Sequence, residues 1–306
     1  LQKGWNFVGN PYTSAINWNI ANGWDKQYIS NTIYIFSASA GNYITWNGFV
    51  GAAGSGKIAM GQGFFVHAIN SNSAISINNS AKIHDEIQFR AAEEKETISL
   101  KIEGNKYIDE TFFVVQSDVS DEFDFQYDAY KLGGVSDAPQ LYSKKQNENL
   151  AVNSVNSSSQ LHAKTIYLEV EAETEYSISM KHSLKDDFLP YLHDRKLNTY
   201  IPANEVYNFI ASTNDMKDRF EIVNYAVLSV NEAEFESLRI WEHNNIVHIS
   251  TPKPEEVKSV TVFNVLGGVV YETTELNIDL QHLTTGVYIV NVRTNDKNQV
   301  YKFVIK

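Results

Sequence analysis

Carboxylates are the first candidates for chemistry. The stretch "SDVSDEFDFQYDAYKL" gathers Asp118, Asp121, Glu122, Asp124 and Asp128. Clustered carboxylates on a loop can hold Ca²⁺, which takes about six to eight oxygens. The spacing lacks the D-x-D-x-D-G run and the closing Glu of an EF-hand. A solvated acidic loop is therefore the leading reading, and calcium through Asp118, Asp121, Asp124 and Asp128 the secondary one. His193-Asp194-Arg195 is the most suggestive trio, but adjacent strand residues point to opposite faces, so His193 and Asp194 do not simply form a dyad. His67, in "FFVHA", reads as a core or rim imidazole. "GAAGSGKIAMGQG" has Walker glycine spacing from Gly51 to Gly56 before Lys57, yet Ile58 stands where Ser or Thr is needed and no βαβ context surrounds it. Those glycines instead let a loop turn before a strand. No G-x-S-x-G elbow occurs. The absence of cysteine excludes disulfides, zinc-thiolate sites and thiol nucleophiles. No catalytic residue, metal site or cofactor is assigned, and the expectation is a chain that is not an enzyme.

Aromatic rings are the second candidates. Trp5, Tyr12, Trp18, Trp24 and Trp46 all fall early in the chain. Rings stack on sugar faces, so Trp5, Trp18 and Trp46 are candidates for a carbohydrate surface. Packing in the core of a small β-domain is the competing reading.

The elements that must position these residues are strands. Helical periodicity is almost absent; "VNEAEFESL" (Val230 to Leu238) is a weak exception. Period-2 patterns dominate, punctuated by Asn, Ser, Thr and Gly at spacings of about 8–12 residues. The fold class is all-β, with tandem β-sandwich modules ending in a small immunoglobulin-like sandwich of seven strands. Three segments are expected: residues 1–86, rich in Gly and Trp; 87–225, a β-sandwich module; and 226–306, the terminal sandwich. A charged stretch, "AAEEKET" (Ala91 to Thr97), marks the first break, and "NSVNSSSQ" (Asn153 to Gln160) reads as a loop. In "TIYLEVEA", Ile166, Leu168 and Val170 alternate with polar neighbours, the rhythm of a strand with one wet face. Hairpins are expected at Asn244-Asn245 and at Gly267-Gly268. At the end, Tyr288, Val290 and Val292 share one face, as do Tyr301, Phe303 and Ile305, with Lys302, Val304 and Lys306 opposite.

Charge narrows the partners. Lys and Arg number 25 and Asp and Glu 37, a net charge of −12. An acidic surface repels a phosphate backbone, so nucleic acid is not expected as a partner. No run of about 18 apolar residues occurs, so no segment is expected to span a bilayer as a helix. The chain begins "LQKGWNFVGN", without Met or a signal region, and reads as a piece of a longer protein or a processed product.

The terminal segment resembles a known family. Its order is "VTVFNVLGG", a gap, "IDLQHLTTGVYIVNV", a polar turn, then "KFVIK". This looks like the C-terminal sorting domain of proteins exported by the type IX secretion system of Bacteroidota, over about Leu238 to Lys306. The matching positions include Val262, Phe263, Gly267, Leu280, Leu283, Gly286, Val287, Tyr288, Val290, Lys302 and Ile305. The family usually opens this domain with Pro-Asn-Pro after an aromatic residue; here the region reads "LRIWEHNN". Upstream, "GWNFVGNPYTSAINW", "IAMGQGFFVHA", "FDFQYDAYKLGG" and "LHDRKLNTYIPANEVYNFIASTNDMKDRFEIV" are similar to stretches of large Bacteroidota surface proteins. In that group the HDR stretch starts a turn, which implies that Asp194 ties down a loop.

The resemblance implies a secreted or cell-surface location and, as partners, the type IX translocon and an outer-membrane shuttle barrel protein. The export and partner-binding residues it suggests are Val262, Phe263, Gly267, Gly268, Gly286, Tyr288, Val290, Lys302, Val304 and Lys306. The upstream modules would serve as a stalk or adhesion platform. The alternatives are a carbohydrate-binding or adhesin module with a surface glycan as partner, and an accessory region of an enzyme.

Overall fold

The computed structural model describes residues 1–83, 95–185, 188–224, 239–243, 246–251, 257–295 and 298–305. Among these, regular structure is almost entirely strand, with only short 3-10 turns besides. The chain divides into two compact units, Leu1–Ala226 and Val227–Lys306. The weak helical candidate Val230 to Leu238 lies outside the described residues, as do Ala91 to Glu94 and the segment boundaries at 86–87 and 225–226.

The first unit opens with β1 (Gly4–Gly9), β2 (Ala15–Asn17), β3 (Trp24–Gln27), β4 (Ile29–Ser37), β5 (Asn42–Trp46), β6 (Lys57–Ile58), β7 (Gly63–Ala68), β8 (Ala74–Ile77) and β9 (Lys82–Ile83). An antiparallel sheet runs β1-β7-β4-β5, beside the smaller sheets β6-β2-β9 and β3-β8. Alternation sorts the side chains. In "GFFVHA", Phe64, Val66 and Ala68 are buried, while Phe65 and His67 take the other face. Phe64 and Val66 join Ile16, Trp18, Ile33, Ile58 and Ala81 in one core.

The same unit continues through β10 (Thr97–Gly104), β11 (Tyr107–Val115), β12 (Ala129–Tyr130), β13 (Gln140–Lys145), β14 (Glu148–Val155), β15 (Lys164–Glu169), β16 (Thr174–His182), β17 (Pro190–Asp194), β18 (Thr199–Pro202), β19 (Val206–Ala211) and β20 (Phe220–Asn224). These form one sheet in the order β18-β17-β20-β15-β13-β14-β11-β10-β16-β19, with β12 added on β14. The pairing of β11 with β14 is parallel. Ile98, Leu100, Ile178 and Met180 from one end of this sheet share a core with Ile166, Leu168, Leu192 and Phe220 from the other. Both layers of the sandwich thus come from one sheet folded over on itself. The stretch "NSVNSSSQ" is less of a loop than its polarity suggests: Asn153, Ser154 and Val155 complete β14, and Ser158–Leu161 form a 3-10 turn. Asn153 and Ser154 are buried: Asn153 Nδ2 donates to Ser143 Oγ at 3.1 Å, and the Ser154 amide and hydroxyl donate to Asp128 Oδ1 at 2.6 Å each.

The two parts of this unit lock together through a second core of Tyr34, Val114, Ala129 and Val152. The Tyr130 amide donates to the Tyr34 hydroxyl at 3.0 Å, the Asn31 amide to Phe125 O at 2.9 Å, and Asn42 Nδ2 to Ile108 O at 2.9 Å. At Gly134 a Cβ would sit 1.9 Å from Gly41 O, so only glycine permits this approach of two backbones.

The second unit holds β21 (Arg239–His243), β22 (Ile246–Ser250), β23 (Val257–Asn264), β24 (Val269–Thr273), β25 (Asn277–Asp279), β26 (Gly286–Thr294) and β27 (Asn298–Ile305). They form two sheets, β21-β22-β25 and β24-β23-β26-β27. Val247, Ile249, Ile278 and Leu280 on one side meet Val260, Val262, Val290, Val292, Phe303 and Ile305 on the other. In a constant-type immunoglobulin domain the fourth strand joins the sheet of the first, second and fifth; here it pairs with the third. Gly267, with φ +81°, supplies the left-handed residue of the β23–β24 turn. The tip of the β21–β22 hairpin, Asn244-Asn245, lies outside the described residues.

Candidate functional site

The terminal hairpin positions the first candidate surface. Strand β26 sits between β23 and β27, and β27 ends the sheet, pairing with β26 alone among the described strands. Alternation divides β27 cleanly: Phe303 and Ile305 are buried, whereas Val300, Lys302 and Val304 are exposed. The cross-strand register sets Lys302 opposite Ile289 and Ile289 opposite Phe263. Val304 stands opposite Val287 in the same face. An outward, largely apolar patch therefore surrounds Lys302 on the last strand of this sheet among the described strands.

Among the residues expected to meet a partner, Lys302 and Val304 are on this surface, and Phe263 is half-buried within it. Gly267 and Gly268 are exposed in the β23–β24 turn. There Asn264 Oδ1 accepts from the Leu266 and Gly268 amides at 3.0 and 2.9 Å, so the glycines shape the turn. Val262, Val290 and Tyr288 are corrected by the structure. Their side chains fill the core between the two sheets, because strand alternation turns them inward, and the Tyr288 hydroxyl donates to Thr284 O at 2.8 Å. Gly286 is half-buried at the start of β26, and Lys306 lies outside the described residues.

The second candidate surface is in the first unit. A groove of about 430 Å³ is lined by Trp5, His67, Tyr130, Lys131, Leu132, Asn147, Glu148 and Asn149. Trp5 is 41% exposed and meets Tyr34, His67 and Tyr130 edge-to-face, with centroids 4.8, 5.0 and 5.8 Å apart. Trp18 is not part of such a surface. It is 1% exposed in the core, and its Nε1 donates to Asn31 O at 2.7 Å. Trp46 is half-buried and donates to Asn19 Oδ1 at 2.9 Å. The three tryptophans do not converge.

The acidic stretch divides in the same way. Asp128 is fully buried and accepts from Lys145 Nζ at 3.0 Å, from the Ser154 amide and hydroxyl at 2.6 Å each, and from the Asp124 amide at 2.8 Å. Its carboxylate is used inside the fold, while Asp118 and Asp121 are exposed and Asp124 Oδ1 holds the Gln126 amide. Among the described residues no group of three or more His, Asp or Glu side chains is placed to hold a metal ion. Lys57 opens strand β6, not the helix that a phosphate loop requires.

Comparison with known families decides the assignment. The family described as Domain of unknown function (DUF8693) matches residues 1–225. The chain belongs to that family. The family described as Secretion system C-terminal sorting domain matches residues 243–306. The DUF8693 domain is thus followed by a sorting domain, and the protein is a type IX secretion substrate, exported across the outer membrane to the cell surface or beyond. No curated protein matches the chain. Among the described residues no helix is long and apolar enough to cross a membrane.

Within the DUF8693 domain, the HDR trio holds structure. Asp194 accepts from the Lys196 amide at 3.0 Å and so ties down the turn after β17. It also pairs with Arg219 through Nε at 3.0 Å and Nη2 at 2.7 Å, and takes the Tyr207 hydroxyl at 2.9 Å. Arg219 was missed in the sequence; a lone Arg before an apolar strand gives no local signal of burial.

A part-buried pair in the same domain gives a pH test. Tyr142 donates to Glu169 Oε1 at 2.6 Å, and Lys217 lies 3.0 Å from Glu169 Oε2. The Tyr142 hydroxyl, with Lys217 helping, holds the Glu169 carboxyl below its ordinary value. A carboxyl lowered on folding adds stability at pH above its unfolded value, about 4.3, and that stability is lost as pH falls through the folded value. Tyr142→Phe is expected to cost about 0.5 kcal/mol at neutral pH after allowing for solvent screening. The difference should vanish in acid; urea titrations of both proteins between pH 3 and 7 measure it.

Proposed function

We propose that the export machinery reads the sorting domain along β27, and that the DUF8693 domain is a stalk or adhesion platform presented at the cell surface. The partners are the type IX translocon and an outer-membrane shuttle barrel protein. The observation that carries the reading is the edge position of β27, with Val300, Lys302 and Val304 outward. An edge strand can pair its backbone with a strand of another protein, and side chains beside it set the choice of partner. The patch joins apolar contact to one cation, a combination suited to a partner groove that carries negative charge.

The test is a full-length chain with Val300, Lys302 and Val304 all changed to Glu. These side chains leave the core untouched, so unfolding should be unchanged. Export should fall by about tenfold or more, since like charges facing across an interface cost several kcal/mol. Normal secretion of the folded triple variant would refute the reading.

A second reading, a ligand-binding module, is favoured by the exposed ring of Trp5 beside a polar groove.

A further inference from the structure

We infer that the groove beside Trp5 binds a neutral oligosaccharide, with Trp5 as the stacking ring and Asn147, Glu148 and Asn149 as hydrogen-bonding partners. The inference deepens the ligand-binding reading of the DUF8693 domain and does not depend on how export is read.

The aromatic side comes from β1, the edge strand of its sheet. Trp5 and Phe7 lie two residues apart on one face, about 7 Å along the strand. Both are exposed, Phe7 more so than Trp5. Phe7 rests against Phe65 with centroids 5.0 Å apart. Rings already braced by their neighbours lose little freedom when a ligand covers them. Large aromatic side chains held on a surface next to a groove mark a place where an apolar face is expected.

The polar side comes from the β13–β14 turn. Asn147, Glu148 and Asn149 are exposed, and no hydrogen bond from their side chains is made within the chain among the described residues. Two amides and a carboxylate beside a ring supply both donors and acceptors.

Charge selects among ligand classes. Lys131 lines the groove, but its amine is bonded to Asp109, and both side chains are buried. Burial holds the His67 imidazole below its ordinary value, so it is neutral at pH 7. Among the lining residues the one cation is thus neutralised by Asp109, while Glu148 disfavours a phosphate or a uronic acid; Lys3, close enough to act on His67, lies outside the lining. A ligand with one apolar face and hydroxyl-rich edges satisfies rings, amides and carboxylate together. A neutral sugar ring has that form.

The experiment titrates the purified full-length chain with tetrasaccharides of glucose, xylose, mannose and N-acetylglucosamine, with an oligogalacturonate and with a proline-rich peptide, by calorimetry and tryptophan fluorescence. Saturable binding of at least one neutral sugar is expected, without binding of the galacturonate or the peptide. Trp5→Ala should weaken binding by about tenfold or more. If that variant fails to fold, Asn147→Ala with Asn149→Ala on the exposed turn decides, with weaker binding and unchanged unfolding expected. Three results each overturn the inference: no neutral sugar binding, affinity unchanged in the folded variants, or preference for the acidic sugar or the peptide. Because binding is read on purified protein, its failure is separate from any failure of export.

Discussion

Cells that make the chain without residues 239–306 are expected to keep it inside, with extracellular signal reduced to the level of lysis. The match to the sorting family spans residues 243–306, and the deleted strands form a unit with its own core. The remaining unit, Leu1–Ala226, keeps its own cores. Loss of export should therefore occur without loss of the folded upstream domain. Fractionation and immunoblotting of cells and medium, in a host with type IX machinery, measure the distribution. Proteolysis of the retained protein checks that it is folded. The converse experiment attaches residues 227–306 to an inert carrier with its own inner-membrane leader, and the carrier should leave the cell. Full-length levels of the truncated protein in the medium would contradict the assignment.

The second large effect is on stability. Asp194→Ala is expected to cost about 3–5 kcal/mol, the range for removing one partner of a buried ion pair. Asp194 and Arg219 are 0% and 1% exposed. The guanidinium lies against Phe209 and Phe220, with centroids 4.5 and 5.3 Å away, and its Nη1 reaches Ile210 O at 2.9 Å and Asp215 at 3.1 Å. Without Asp194 the cation keeps one partly buried carboxylate and one carbonyl, while the Tyr207 hydroxyl and the Lys196 amide lose their acceptors. Asp194→Asn keeps the shape without the charge and should fall between. Urea unfolding followed by tryptophan fluorescence reads mainly this unit, because four of the five tryptophans, Trp5, Trp18, Trp24 and Trp46, lie in it, and Trp241→Phe removes the fifth. A loss below about 1 kcal/mol, the worth of an ordinary neutral hydrogen bond, would show that the pair is not what holds this region.

What was legible in the sequence follows from the range over which each signal acts. Alternation is local, so Ile166, Leu168 and Val170 were placed inward, and Lys302 and Val304 outward, from spacing alone. The loop tie at Asp194 came from the family resemblance, and it fits the habit of an Asp beside a turn of bonding nearby amides. The partners of Asp128 could not be read, since Lys145 and Ser154 lie on strands β13 and β14 and meet it only through the sheet. Composition placed Trp5, Trp18 and Trp46 in one class. Their separation depends on which face of which sheet each ring takes, and whether another layer covers that face. Val262, Tyr288 and Val290 show the same limit from the other side: matching a family motif does not say whether a residue is recognised or simply packs.

The buried pairs Asp109–Lys131, Asp128–Lys145 and Asp194–Arg219 each fasten segments well separated along the chain. In a chain without cysteine they act as its cross-braces. Such braces form as the polypeptide folds and need no oxidant or isomerase. They are equally indifferent to thiols outside the cell, so the folded protein should pass between reducing and oxidising surroundings without rearrangement.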